Sequence, residues 1–230
     1  MARGRGKKEA SMNISHRLVI ITAIFITCLI TANTIAVKII ILGPIFLPAA
    51  IFVFPLSYIF GDVLTEVYGY QWTRKVIWLG FICNLIFVLF VWIGQLLPPA
   101  PFWKEQQSYA SILGYAPRML AASFLGYLAG EFTNSFILAK MKIMTRGRWL
   151  WSRTISSTVI GQGLDTSIFI TLAFIGTPSF MPALILYHTL AKTAIEALAT
   201  PLTYVTVNFL KKKEAIDTYD RETDFNPLHI

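Results

Sequence analysis

Hydrophobic and polar positions along the chain fall into long apolar runs separated by short polar or Pro- and Gly-containing breaks. The runs are Leu18 to Val37, Ala49 to Tyr68, Trp72 to Leu97, Arg118 to Ala139, Thr154 to Ile175 and Met181 to Leu210. Each is close to the roughly 20 residues a helix needs to cross about 30 Å of hydrocarbon. Within hydrocarbon the backbone must satisfy its own hydrogen bonds, so such runs are read as helices. The pattern predicts an all-α integral membrane protein of six transmembrane helices. Gly43-Pro44 and Pro48 mark a turn after the first span, and Pro98 to Pro101 end the third. Residues 98–117 form the longest loop, part of it expected to be helical. The division is a basic tail (1–16), a six-helix domain (17–211) and a charged, soluble C-terminal tail (212–230). A cleaved signal peptide is the alternative reading of the first run. That run exceeds the roughly 7–15 residues of a signal core and carries Asn33, which favours a span.

Composition sharpens this picture. Of 230 residues, 55% are hydrophobic and 14% charged, against about 25% charged in soluble domains, and the mean hydropathy is +0.61. Sixteen of the 20 Lys and Arg residues fall in the two tails, after the second span, or between the fourth and fifth. Only Lys38, Lys104 and Arg118 fall on the other side, and Lys192 lies within the sixth span. By the positive-inside rule both termini are cytoplasmic. The net charge of +8 then follows from topology and anionic lipid, and a nucleic-acid partner is not needed to explain it. Cys28 and Cys83 read as packing residues, His16, His188 and His229 are too scattered for a metal site, and no phosphate-cradling Gly-rich loop is present. No cofactor is expected.

Candidate chemistry sits where the spans turn polar. Asp62 and Glu66 stand four apart and share a helix face. Further stripes at helical spacing are Tyr127, Glu131 and Asn134; Thr158, Gln162 and Asp165; and His188, Lys192, Glu196 and Thr200. An acid inside a membrane costs about 2.5–3.5 kcal/mol on insertion scales, so by default it faces a protein interior and marks a site. Four such helices can meet around one polar cavity near the midplane, the depth at which transporters bind cargo. Structural roles compete with this reading. Asn33 and Gln162 also suit interhelical hydrogen bonding, Lys192 and Glu196 an ion pair, and Asp62 and Glu66 a surface contact with Arg74 or Lys75. Pro201 removes a backbone donor one turn from Glu196 and predicts a bend there.

An ordered set of short motifs carries a resemblance over about residues 16 to 212. It comprises Asn33 in Thr-Ala-Asn, Gly61-Asp62 with Glu66 and Tyr68-Gly69, Ala100 to Trp103, Gly130-Glu131 with Asn134, Arg153 with Ser157-Thr158, and Gly161-Gln162 with Asp165-Thr166. Together they resemble the queuosine precursor transporter family, bacterial inner-membrane proteins also grouped as vitamin uptake transporters. The resemblance implies a six-helix fold similar to the substrate-binding components of vitamin transporters. It also implies uptake of 7-deazaguanines (preQ0, preQ1 or queuine) for tRNA modification.

The polar inventory suits such a cargo. Its ring N–H and amino group form a donor pair that a carboxylate accepts, and its carbonyl needs a donor. The expected cargo set is Asp165, Gln162, Glu131, Asn134, Asn33, Asp62, Glu66, Lys192 and Glu196, with Phe54, Tyr58, Tyr127 and Phe169 to stack on the ring. Asp165 leads, because no Lys or Arg of its own span can neutralise it. A transporter of another small heterocycle or vitamin, and a membrane enzyme acting on lipid, are the alternatives. The enzyme reading lacks a nucleophile and base pairing. Proton coupling, facilitated diffusion and an accessory ATPase module are all left open by the sequence, and a homo-oligomer is compatible with it.

Overall fold

The computed structural model describes residues 15–42, 45–114, 117–176, 180 and 182–229. The basic tail up to residue 14 and the Gly43-Pro44 turn therefore lie outside the described residues. The chain is almost wholly helical. In order come α1 (His16–Ile35), strands β1 (Ile39–Leu42) and β2 (Ile45–Pro48), a 3-10 turn (Ala49–Phe52), α2 (Phe54–Val63) and a π turn (Leu64–Tyr68). They are followed by α3 (Tyr70–Leu96), α4 (Gln106–Leu113), α5 (Pro117–Met144), α6 (Leu150–Phe174) and α7 (Ala183–Glu214). The helical expectations hold within a few residues, and α4 is the helical part of the long loop. The antiparallel pair of strands, Ile39 opposite Pro48, was not expected. Its sequence is an apolar run that periodicity alone cannot separate from helix.

Local chemistry explains where the helices start and stop. The Ser15 hydroxyl accepts the Arg17 N–H at 3.1 Å and caps α1. Gly69, at φ 86°, ends the π turn, and a methyl group there would meet Thr218 Cγ2 at 2.6 Å. The first N–H of α3, on Tyr70, donates to the Asp220 carboxylate at 3.0 and 3.1 Å, so a residue from the far end of the chain caps this helix. Helices α5 and α6 approach through glycines. A methyl group on Gly130 would meet Asp165 Cβ at 2.7 Å, and one on Gly161 would meet Asn134 Cβ at 2.8 Å. Pro201 is accommodated inside a continuous α7.

Contacts at the helix ends set the arrangement. Arg17 at the start of α1 pairs with Glu214 at the end of α7 at 2.9 Å. Glu66 in the π turn meets Arg153 near the start of α6, Lys142 near the end of α5 and Lys211 near the end of α7. Arg118 at the start of α5 donates to the backbone carbonyls of Leu172 and Ile175 at the end of α6. Hence α1, α2, α3, α5, α6 and α7 alternate in direction, with α4 packed by Gln106 and Tyr109 against the last turns of α3.

Buried polar and charged side chains share the interior with an apolar core that includes Phe25, Ile59, Val63 and Leu64, and the exterior is apolar. Asp62, Glu66, Arg153 and Glu196 are at most 1% exposed. Leu85, Phe90 and Trp92 on α3, Ile160 on α6, and Leu198 and Val205 on α7 all face outward. In soluble proteins charged side chains are seldom fully buried. By length and composition, α1 and α3 are long and apolar enough to cross a membrane. α5, α6 and α7 are as long, at 28, 25 and 32 residues, but their polar stripes lower the average hydropathy.

Candidate functional site

Two polar clusters emerge, one in the middle of the bundle and one at the end where α1 begins and α7 finishes. In the middle, Lys192 Nζ donates to Asp165 Oδ2 at 2.8 Å, Gln162 Oε1 at 3.1 Å and Thr166 Oγ1 at 3.3 Å. The Tyr58 hydroxyl donates to the same Gln162 oxygen at 3.0 Å. Asp165 is 22% exposed and Lys192 13%, so this cluster keeps an opening. The expectation that Asp165 lacks a neutralising partner is corrected here: its partner comes from α7, which spacing within α6 could not show. Lys192 accordingly pairs with Asp165, and both carboxylate oxygens of Glu196 lack a hydrogen bond.

Beside this cluster, Asn134 Nδ2 donates to Asp62 Oδ1 at 2.9 Å, leaving Asp62 Oδ2 and Asn134 Oδ1 without a partner. Asp62 and Glu196 are 0% exposed and present no surface to an opening, although both stood among the expected cargo residues. Glu131 is half-buried near Gly61, where a methyl group would lie 3.6 Å from its Oε2. Glu131 follows Gly130, where a methyl group would lie 2.7 Å from Asp165 Cβ, so both acids stand at the contact of α5 and α6.

The remaining candidates divide. The Tyr127 hydroxyl donates to the Ile77 carbonyl at 3.1 Å and fastens α5 to α3. Phe169 stacks edge-on against Phe174, with centroids 6.2 Å apart. Asn33 is half-buried in the last turn of α1. The Phe54 side chain lies outside the described residues.

Glu66 belongs to the second cluster. Arg153 grips it with two nitrogens, NH2 reaching Oε1 at 3.1 Å, Lys211 adds 2.7 Å to Oε1, and Lys142 donates to the Glu66 carbonyl at 2.6 Å. Neither Arg74 nor Lys75 is its partner. Arg74 instead donates to the backbone carbonyls of Asp224 and Asn226, and Trp78 Nε1 to that of Pro227. The C-terminal tail, read from the sequence only as charged and soluble, is docked across this end. Asp217 bridges Lys142 and Lys211. Burial alone would raise the Asp217 pKa, yet hydrogen bonds from the two lysines outweigh it and hold the carboxyl below its usual range. Hydrogen bonds from Ser15 and Arg17 likewise hold Glu214 low.

Sequence reasoning counted Arg153, Lys142 and Lys211 as topology charges and missed them as partners. A buried acid at a span end was the available signal that such partners must exist. Away from both clusters, a cleft of about 250 Å³ opens between α3, α4 and α5, lined by Leu85, Leu89, Trp92, Leu113 and Leu120. Apart from Gln95 its lining is apolar and suits an acyl chain better than a polar cargo.

An apolar exterior around a buried set of acids, amides and lysine is the construction of a membrane protein with a polar site inside it. The family model described as putative vitamin uptake transporter matches residues 48–206. A probable queuosine precursor transporter from Bacillus subtilis (strain 168) is 32% identical over 160 residues, covering 66% of this chain and 68% of the relative. No solved structure matches. The chain belongs to the putative vitamin uptake transporter family, as its motifs led one to expect, and the names of the family and of the relative are those of transporters.

Proposed function

We propose that this protein is a six-span transporter of the bacterial inner membrane, with both termini cytoplasmic, that imports 7-deazaguanine precursors of queuosine (preQ0, preQ1 or queuine). The observation that carries the reading is the Asp165, Gln162, Lys192 and Tyr58 cluster, half-open and assembled from α2, α6 and α7. Lys192 occupies one oxygen of Asp165, and half-buried Glu131 supplies a second carboxylate nearby. A guanine-like edge needs a carboxylate for its paired N–H groups and a donor for its carbonyl, and this set contains both. The name of the Bacillus relative, a probable queuosine precursor transporter, supports the same cargo. Six spans rest on the alternating directions of α1, α2, α3, α5, α6 and α7 and on their apolar outer faces.

The test is uptake of radiolabelled preQ1 by bacteria unable to synthesise the precursor and lacking their own importer. Expression of this chain should restore queuosine in their tRNA. Uptake no higher than with an empty vector, with the protein present in the membrane, would refute the reading.

A further inference from the structure

Asp62 on α2 and Glu196 on α7 are each 0% exposed, and these two helices pack against each other. Asp62 Oδ2 and both oxygens of Glu196 have no hydrogen-bond partner. The only donor among the described residues that reaches the pair is Asn134 Nδ2, at 2.9 Å from Asp62 Oδ1, and the other end of that amide, Oδ1, is itself buried and unpartnered. Among the charges acting on Asp62, Glu196 is the strongest. The others come from Glu131 on α5 and Glu66 in the π turn, so every one of them is an acid. Lys192, one turn before Glu196, is engaged by Asp165. With no ion pair to either acid among the described residues, the two buried carboxylates cannot both stay ionised, and carboxyl pairs of this kind retain a proton.

We propose that Asp62 and Glu196 form a proton-binding site, set apart from the cargo cluster, and that the proton it holds is the ion whose movement drives cargo uptake. One carboxyl is retained as the neutral acid, whose O–H is the donor the surrounding oxygens lack. Release of that proton leaves two buried anions that repel, and this repulsion gives the protein a reason to change conformation on α7 beside Pro201. Intramembrane acids of proton-driven transporters act in this way. A sodium ion would also accept oxygen ligands, so the experiment must separate the two.

Protonation can be read without any cargo. Infrared spectra of the purified full-length protein at neutral pH should show a carboxylic-acid C=O band that Glu196→Gln and Asp62→Asn each diminish and the double variant loses. A double-variant spectrum identical to wild type in that region overturns the proposal. The driving role rests on the transport reading and is tested in proteoliposomes loaded with a pH-sensitive dye and supplied with preQ1. An acid-outside gradient should drive accumulation, and the number of protons entering per cargo should fall to zero in Glu196→Gln. Accumulation driven by a sodium gradient instead, or an unchanged proton ratio in the variant, overturns it. So does a folded variant that no longer binds preQ1, because the pair would then be holding cargo. A wild-type protein that moves no 7-deazaguanine refutes the proposed cargo, while the infrared result stands or falls by itself.

Discussion

At the residue scale, Asp165 shows how a partner from another helix changes what a side chain can do. Lys192 holds one of its oxygens and at the same time reaches Gln162, so acid, amide and ammonium form one unit on the open side of the central cluster. Asp165→Asn retains the size but removes the charge that fixes Lys192 and replaces an acceptor with a donor. A lost bidentate contact is worth about 1–3 kcal/mol. Purified Asp165→Asn should therefore bind preQ1 at least about tenfold more weakly by equilibrium binding, at about 1.4 kcal/mol per factor of ten. Wild-type affinity would reduce Asp165 to a packing residue and move the leading role to Glu131. Glu66 is the opposite case. With Arg153, Lys142 and Lys211 around it, both of its oxygens are engaged by cations and it holds the helix ends together.

At the element scale, the contact between α5 and α6 positions the site. Gly126, Gly130 and Gly161 bring the two backbones together, and Asp165 and Asn134 sit at that contact. Gly130→Val forces the helices apart and should cost about 1–3 kcal/mol of stability. It should also weaken cargo binding, because Asp165 moves with the α6 backbone. Gly163 is the control, since a methyl group there meets Thr189 Cγ2 at an ordinary 3.7 Å. Thermal unfolding in detergent compares Gly130→Val with Gly163→Ala, and equal stability would show that the glycines are not what sets the approach. The docked tail is a second element with a testable pH dependence. The Asp217 pKa is lowered in the fold, so its contribution is fully present above its unfolded value of about 3.9 and is lost as pH falls through the lower folded value. Hydrogen exchange of residues 217–227 should be slow from neutral pH down to about 5 and accelerate below about 4. Equal exchange at both ends of that range would show that Lys142 and Lys211 do not retain the tail.

At the scale of the whole molecule, charge and hydropathy are distributed for a bilayer. The basic residues Arg17, Arg74, Lys142, Arg153 and Lys211 gather at one end of the bundle, each engaged by an acid or a carbonyl. Their clustering agrees with the sixteen-to-three division of Lys and Arg along the sequence. A reporter enzyme active only in the cytoplasm, fused behind the C-terminus, should be active. Good expression with a silent reporter would invert the topology.

By itself the sequence determined the helices, their polar stripes and the family, because apolar run length and 3.6-residue spacing are local properties of the chain. Asp62, Glu131, Gln162, Asp165, Lys192 and Glu196 were all legible as intramembrane polar residues for the same reason. Which of them meet is a matter of tertiary structure. The Lys192 pairing with Asp165 spans 27 positions and the Arg153 grip on Glu66 spans 87. Neither spacing is visible in a helical period. The docked tail left no signal at all, since Asp220 caps α3 from 150 residues away and its acidity looked like that of any solvated end. Long-range partners are chosen by how the helices pack, and the seating of α7 against α6, rather than charge along the chain, decides which acid receives the lysine and which remains unpaired.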